Sequence, residues 1–348
     1  VFPVLAQVLL SAITAGLWWR LRRTPDLVLG LLHGLLLVAL GGVIGAAGTR
    51  WGGATFFAPA GIVAWALLLY VPLLWLGAAA AWGRRAPRQA IALGLAGAFG
   101  AGVGVDARVV EPRWLDVVHH TVQTDGVAGR VVLVADLQTD AVGPWEARVF
   151  EEIRAQSPDL VLFAGDYVQL YQAEPYAREL ARLRALVATL DPPWGGFAVS
   201  GDIDPPLVWK AAFDGTAITP LDDDSVRAGP VVVSGLAVGT SHRGPLPDAP
   251  DGAFHIVLGH SPDFSLEDTG ADLLLAGHTH GGQVVIPGFG PPVTFAKVQR
   301  AQGAGGAFPR PDGSTLVVSR GIGMERVDAP RVRFFCRPEL TVIDLVPR

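Results

Sequence analysis

The chain has 348 residues, of which 50% are hydrophobic and 17% charged, with a formal net charge of −5. An acidic balance argues against a nucleic-acid partner, which would want a basic face, and a single cysteine, Cys336, excludes an intrachain disulfide. The charge is uneven: residues 1–105 hold seven Arg, one Asp and no Glu or Lys, a net +6, while the remainder carries −11.

The first region reads as membrane-spanning. Uncharged apolar stretches run Val1–Trp19, Leu27–Thr49, Trp51–Gly83 and Gln89–Val105. A spanning helix needs about 20 residues, in a range near 17–25. The first three qualify. The fourth has 17 residues and is rich in glycine (Gly94, Gly97, Gly100, Gly102, Gly104), but small residues allow close packing inside a bundle, and it is counted as a span. That many stretches exclude a signal peptide followed by a soluble domain. Arg20, Arg22 and Arg23 fill the first connection and Arg84, Arg85 and Arg88 the third, against Arg50 alone in the second; Trp18, Trp19 and Trp82 sit beside the arginine-rich ends. Positive charge is retained in the cytoplasm. Four spans therefore put the rest of the chain outside the cytoplasm; three would put it inside. His33, mid-span, is expected to bond within the bundle. The spans hold no Asp, Glu, Lys or Arg of the kind that marks transport paths. The chain opens on Val1 and has one methionine, Met324, which fits either a non-standard initiation codon or a fragment.

Residues 106–348 are the length of one ordinary domain. Strands are predicted at 109–110, 115–122, 130–135, 160–163, 196–199, 231–233, 236–239, 254–258, 273–276, 283–286, 315–319, 332–336 and 340–346, and helices at 144–156 and 173–190. In the second helix Leu180, Leu183, Leu186, Val187 and Leu190 recur at helical spacing. The segments 244–252 and 303–313 read as surface loops. His119 and His120 adjoin on a strand, face opposite ways and cannot both enter one site. His242 and His255 lack a strand-end position and are expected to be structural. Asp222–Asp224 reads as a solvated turn.

The chemistry lies in fragments of one grammar, an apolar run and then a turn bearing Asp or His: VVLVADLQTD (131–140), LVLFAGDYV (160–168), FAVSGDIDP (197–205), FHIVLGHSP (254–262) and LLLAGHTHGGQVVIP (273–287). Asp136, Gln138, Asp166, Asp202, His260, His278 and His280 thus fall at predicted strand ends, where open α/β sheets bind ligands. Carboxylate with imidazole suits divalent Mn, Fe or Zn. Seven donors are too many for one ion and fit two, an arrangement that clamps the attacking and leaving oxygens of a displacement at phosphorus.

The order D-x-Q, GD, G-D-x-D, GH, GHTH resembles that of the calcineurin-like metallophosphoesterases. The strings GDYV and GHTHGGQV and the tail VSRGIGMERVDAPRVRFFCRPELTVIDL are similar to the membrane-associated branch, which includes bacterial exported phosphoesterases and UDP-diacylglucosamine pyrophosphatases; the likeness covers roughly residues 108–346. It implies an α/β fold, N-terminal transmembrane helices (1–105) followed by a four-layer α/β/β/α sandwich (106–348), in a bacterial inner membrane. It implies one metal held by Asp136, Gln138, Asp166 and His280, and another by Asp166, Asp202, His260 and His278, with Asp166 bridging. It also implies a phosphorylated small-molecule or lipid substrate. Two positions depart from the family pattern. Gln138 replaces the usual His, as in the Mn-dependent ADP-ribose/CDP-alcohol diphosphatases, which it resembles here. The usual GNHD is Gly201-Asp202-Ile203-Asp204. Asp202 replaces Asn as an oxygen ligand, and its added negative charge should hold cations more firmly and phosphate less. Ile203 cannot replace the proton-donating His of relatives, a loss worth on the order of 10²–10⁴ in rate. Asp204 is the nearest spare carboxylate for that proton transfer, against a turn-capping role. The expectation is a membrane-anchored hydrolase of phosphoesters or pyrophosphates; the alternative is a non-catalytic metal-binding or sensing protein on a degenerate scaffold.

Overall fold

The computed structural model describes residues 2–206, 208–244, 252–267 and 270–348; most of the expected loop 244–252 lies outside them. Contacts divide the chain into a helical unit, Val1–Val110 with Glu325–Val332, and an α/β unit, Glu111–Met324 with Arg333–Arg348.

The helical unit contains α1 (Phe2–Leu21), α2 (Leu27–Trp51), α3 (Ala58–Trp65), α4 (Val71–Trp82) and α5 (Pro87–Val105). A π-helical segment, Ala66–Tyr70, joins α3 to α4 just before Pro72, whose ring would otherwise meet the carbonyl four residues back. Four helices, Phe2–Leu21, Leu27–Trp51, Ala58–Trp82 and Pro87–Arg113, are long and apolar enough to cross a membrane. The short fourth stretch is thus extended at both ends. Val109–Val110, expected as strand, continues this helix in a π-helical turn, where backbone bonding carried on from α5 prevails over a two-residue β preference. α2 buries Gly30, Gly34, Gly41, Gly45 and Gly48 along one stripe, so neighbouring helices approach its backbone. Trp75 and Trp82 donate from their indole nitrogens to the carbonyls of Gly30 (3.0 Å) and Leu21 (2.8 Å). His33 bonds to Leu29 O in its own helix at 2.7 Å.

Two six-stranded sheets build the α/β unit. The first, ordered β1-β12-β2-β3-β4-β5, comprises β1 (Asp116–Thr124), β12 (Glu339–Pro347), β2 (Gly129–Val134), β3 (Leu160–Phe163), β4 (Gly196–Ala198) and β5 (Ile218–Pro220). The second, ordered β10-β11-β9-β8-β7-β6, comprises β10 (Gly306–Pro309), β11 (Thr315–Val318), β9 (Leu273–Ala276), β8 (Phe254–Leu258), β7 (Val231–Gly235) and β6 (Asp224–Ala228). Period-two alternation decides which face each residue takes. Val131, Leu133, Leu160 and Leu162 of the first sheet meet Ile256, Leu258, Leu273 and Leu275 of the second in one buried cluster. Val132, Val134, Val161 and Phe163 face the other way, under α6 (Pro144–Ala155) and α7 (Ala173–Val187), whose Phe150, Ile153, Leu180 and Leu183 complete a second cluster. Beyond the second sheet the cover is thinner: Val257, Leu274 and Val318 pack on Phe264 of a 3₁₀ turn, Pro262–Leu266.

Besides 109–110, three predicted strands form otherwise. Residues 236–239 turn into α8 (Val238–Arg243), because the Asp223 carboxylate accepts from Ala237 N (2.9 Å) and Thr240 Oγ1 (2.8 Å) and folds the chain back. Segments 283–286 and 332–336 meet only through an isolated bridge, Val284 with Phe334. Here the fully buried Arg333 guanidinium gathers the carbonyls of Arg320, Gly321, Gly323 and Cys336, so the chain curls around it instead of extending. The strands missed by sequence, β5, β6 and β10, are all sheet edges. Edges are short and polar and carry little apolar pattern.

Candidate metal centre

The loops leaving β2, β3 and β4 carry Asp136, Gln138, Asp166 and Asp202; those leaving β8 and β9 carry His260, His278 and His280. The loops lock to each other through the backbone: Asp136 N donates to Gly165 O (3.1 Å), Gln138 N to Asp166 O (2.7 Å) and Thr139 N to Tyr167 O (3.2 Å). Close approach requires glycine. At Gly165 (φ 90°) a side chain would run into the Gly201 backbone, and a Cβ at Gly277 would come within 2.8 Å of the Asp136 carboxylate. Asp136, Gln138, Asp166, His278 and His280 all have left-handed backbone, φ 34–70°. Each such residue costs on the order of 1 kcal/mol or more, a strain that concentrates where a site over-determines its geometry.

Five of the seven sequence-predicted ligands converge. The ligand atoms of Asp202, His260 and His278 lie within 4.8 Å of one another, and so do those of Asp136, Asp166 and His260. His260 therefore belongs to both groups. Gln138 and His280 are buried on the adjoining loops; His280 is in neither group, and Gln138 donates from Nε2 to Gln169 Oε1 at 3.3 Å. Asp136, Asp166 and His260 are buried, and Asp202 stands at the rim with its side chain 41% exposed.

The donor set fits a divalent metal on one observation above all. His260 is fully buried and donates from Nδ1 to Ala164 O (2.8 Å), which leaves a lone pair on Nε2. Among the described residues that Nε2 has no hydrogen-bond partner within 3.5 Å, and it lies 3.6 Å from Asp166 Oδ1 and 3.6 Å from Asp202 Oδ2. A lone pair facing two carboxylates asks for a cation between them. The titration behaviour agrees. Burial pushes the Asp136 carboxyl up to about 7, with His260 opposing and Asp166 adding to the rise. Burial disfavours charge on His260, but Asp166, Asp202 and Asp136 outweigh it and hold the imidazole well above its usual range. At Asp202 burial is likewise outweighed, by His242, His260 and His278, and the carboxyl lies far below the usual carboxylate range. Without a metal, His260 and, below about pH 7, Asp136 hold protons in its place, while Asp202 stays ionised.

Two residues differ from the sequence reading. His242, expected to be purely structural, is brought by α8 to the rim, where its Nε2 is 3.0 Å from Asp202 Oδ1 and its ring meets His278 edge-on at 5.2 Å. It lies in the 3.6-period of a six-residue helix absent from the strand prediction, so no sequence signal marked it. Asp204, the candidate proton donor, has both oxygens engaged: Oδ2 accepts from Asp166 N (2.8 Å) and Gly201 N (2.8 Å), Oδ1 from Tyr167 N (3.0 Å). Burial, then Asp166, pushes this carboxyl up to about 7 against those three donors. That is the turn-capping role, a clasp between the β3 and β4 loops. Ile203 N donates to Asp166 Oδ1 (3.1 Å), so the residue at this position contributes its backbone and no side-chain proton. His255 bonds to Ser234 Oγ (2.7 Å) within the second sheet, as a structural residue does. Asp222 pairs with Lys210 at 3.2 Å and Asp223 forms the turn, so the acidic run is solvated and structural.

Comparison with known proteins agrees with this geometry. Residues 129–282 match the sequence profile of the calcineurin-like phosphoesterases. An uncharacterised metallophosphoesterase of Bacillus subtilis, YkuE, is 30% identical over 276 residues, 72% of this chain and 92% of its own length. The Escherichia coli phosphodiesterase YaeI is 26% identical over 68% of this chain and 90% of its length, and a second uncharacterised B. subtilis metallophosphoesterase, YkoQ, is 26% identical over 63% and 86%. With its two-sheet scaffold and its converging Asp and His side chains, the chain belongs to the calcineurin-like phosphoesterase family.

Proposed function

We propose that the protein is a membrane-anchored two-metal hydrolase of phosphodiesters or pyrophosphates whose catalytic unit lies outside the cytoplasm. The observation that carries the hydrolase reading is the unpartnered Nε2 of His260 between Asp166 and Asp202. Asp136, Asp166, Asp202, His260 and His278 hold the ions, joined by Gln138 and His280 from the adjoining loops. Two bound divalent ions would supply Lewis-acid stabilisation at phosphorus and align the attacking and leaving oxygens. His242 orients Asp202, and Asp204 fixes the β3 and β4 loops. With an aliphatic Ile203 where relatives resembling this chain carry His, a substrate with a good leaving group is favoured, such as a nucleoside diphosphate or a lipid-linked pyrophosphate. The name of the E. coli relative supports the phosphodiester class.

Membrane anchoring rests on four helices of spanning length and on the arginines at residues 20–23 and 84–88. A reporter fused after Val110 tests the side: activity of an enzyme that works only in the cytoplasm would reject the orientation. The chemistry is tested by Mn reconstitution of the purified chain, metal analysis, and hydrolysis of aryl phosphodiesters and nucleoside diphosphate esters. Failure to bind metal would reject the centre. Ile203 favours a second reading, a metal-binding or sensing protein without turnover. Metal retained with no hydrolysis, and turnover appearing in Ile203→His, would establish that reading.

A further inference from the structure

The α/β unit begins at Glu111, inside the last stretch of spanning length, Pro87–Arg113. Where that helix crosses a bilayer, Trp114 follows at the bilayer surface. Its ring is half exposed, and the Arg337 guanidinium lies over it, 3.7 Å from the centroid. Glu111 is buried, and its carboxylate accepts from the backbone N–H groups of Phe335 and Cys336. The segment 335–337 is thereby fastened to the helix exit. From there the contacts run on. Phe334 N donates to Gln283 O (2.9 Å) and Val285 N to Phe334 O (2.8 Å), which sets the chain after GHTHGG alongside. That chain then closes a turn, Ile286 N to Gly290 O at 3.0 Å, with Phe289 inside it and Val293 and Phe295 following.

The residues along this path are apolar and open. Trp114, Ile286, Phe289, Val293, Phe295 and Phe335 are 44–62% exposed. Exposed apolar residues scattered singly are ordinary, but a succession of them along one path marks an interaction surface. Phe295 and Phe335 also have left-handed backbone, φ 54° and 51°, a strained conformation for bulky side chains, and both rings are exposed. The cations select the occupant. Arg337 lies over Trp114, and Arg300 lies over Phe289, 4.3 Å from its centroid. Rings capped by guanidinium groups match the boundary of a bilayer, where aromatic residues sit at the headgroups and arginine reaches anionic phosphates. A second copy paired through the same face would set these arginines against each other.

We propose that this surface of the α/β unit rests on the bilayer that the helices cross, with Ile286 and Phe289 entering the boundary between headgroups and acyl chains. His278 Nε2 is 3.1 Å from Phe295 O, so the metal centre stands beside the same surface, which favours a phosphate carried by a lipid. The docking is independent of turnover; it depends on the helices spanning a membrane, as read above. The test uses the full chain in vesicles of phosphatidylcholine and phosphatidylglycerol, with a fluorophore on one introduced cysteine; Cys336 is buried and stays unlabelled. Labels at Phe289→Cys and Val293→Cys should lose about half or more of their emission to lipids bearing a doxyl group near the headgroup, as expected of groups roughly 5–10 Å inside that boundary. Ile286→Cys serves if either variant misfolds. A label at Asp125→Cys, past the far end of β1 and roughly 30 Å from Trp114 along the strand, should keep its emission. Ile286→Asp in the Phe289→Cys chain should restore most of the lost emission. Quenching that survives Ile286→Asp, or is as strong at Asp125, would reflect tethering alone and overturn the proposal. A Phe289→Cys disulfide dimer without quenching would identify a second copy as the occupant and overturn it likewise. A label at Leu95→Cys, exposed on α5, reports on the helices separately. Quenching there by deep doxyl lipids, with none at 289 and 293, would overturn the docking surface alone; none at all three would overturn the membrane reading as well.

Discussion

At the ends of β2, β3 and β4 the first sheet sets Asp136, Asp166 and Asp202; at the ends of β8 and β9 the second sets His260, His278 and His280. The first sheet thus brings negative charge and the second brings nitrogen donors. Neither set is a site alone: three carboxylates this close repel, and the imidazoles lack charge to balance a divalent ion. The apolar layer between the sheets, Val131 and Leu133 against Ile256, Leu258 and Leu275, sets the spacing at which they meet. The centre therefore reports how well one sheet registers on the other.

This contrast can be broken from either side. His260→Ala removes the one residue common to both ligand groups. Metal content should fall and activity drop by more than the roughly 10–100-fold typical of losing a partner behind a ligand. His255→Ala, buried in the same sheet away from the centre, should leave metal content unchanged; equal loss from both would show a general collapse. Asp204→Asn acts within the first sheet alone. An amide cannot accept on both arms, so a backbone N–H in the clasp is left without its acceptor. We expect a stability loss on the order of 2 kcal/mol, read as a lower denaturant midpoint at unchanged slope. His242→Ala frees Asp202 on the second sheet's side and should weaken metal affinity about 10-fold, with little change in thermal stability of the metal-free protein. The smallest effect is a pH dependence. Burial holds His255 below its ordinary value, so the folded form binds its proton less readily than the unfolded chain. Its contribution is present above about pH 6.5 and is lost as pH falls through the depressed value. His255→Gln should flatten that part of the stability profile.

The five converging candidate ligands were legible because strand ends are written in the sequence as an apolar run followed by Asp or His, and the run itself is the inter-sheet core. The central strands β2, β3, β8 and β9 were legible for the same reason. Edge strands were not: β6 reads Asp224–Ala228 and β10 reads Gly306–Pro309, with charge, Gly and Pro in place of alternation. His242 was missed because its position follows from Asp223 turning the chain into α8, a tertiary hydrogen bond with no local signature. The four helical stretches were read from length and hydropathy, with some ends displaced: the third helix starts at Ala58 where Trp51 was expected, and the fourth runs on to Arg113 past Val105. What composition could not foretell was that Glu325–Val332, polar and distant in the chain, joins that unit. Nor did the pattern reveal Arg333: an arginine in an apparent strand reads as surface, yet it is fully buried beneath the loop that supports Asp136.

The first sheet has one further property. β12 lies between β1 and β2, parallel to the one and antiparallel to the other, although the ribosome makes it long after both. Until that segment emerges, β1 has no neighbour and β2 shows a bare hydrogen-bonding edge to whatever is nearby. A nascent chain stalled anywhere before Glu339 would carry an adhesive half-sheet, so quality control of this protein should hinge on how fast β12 arrives.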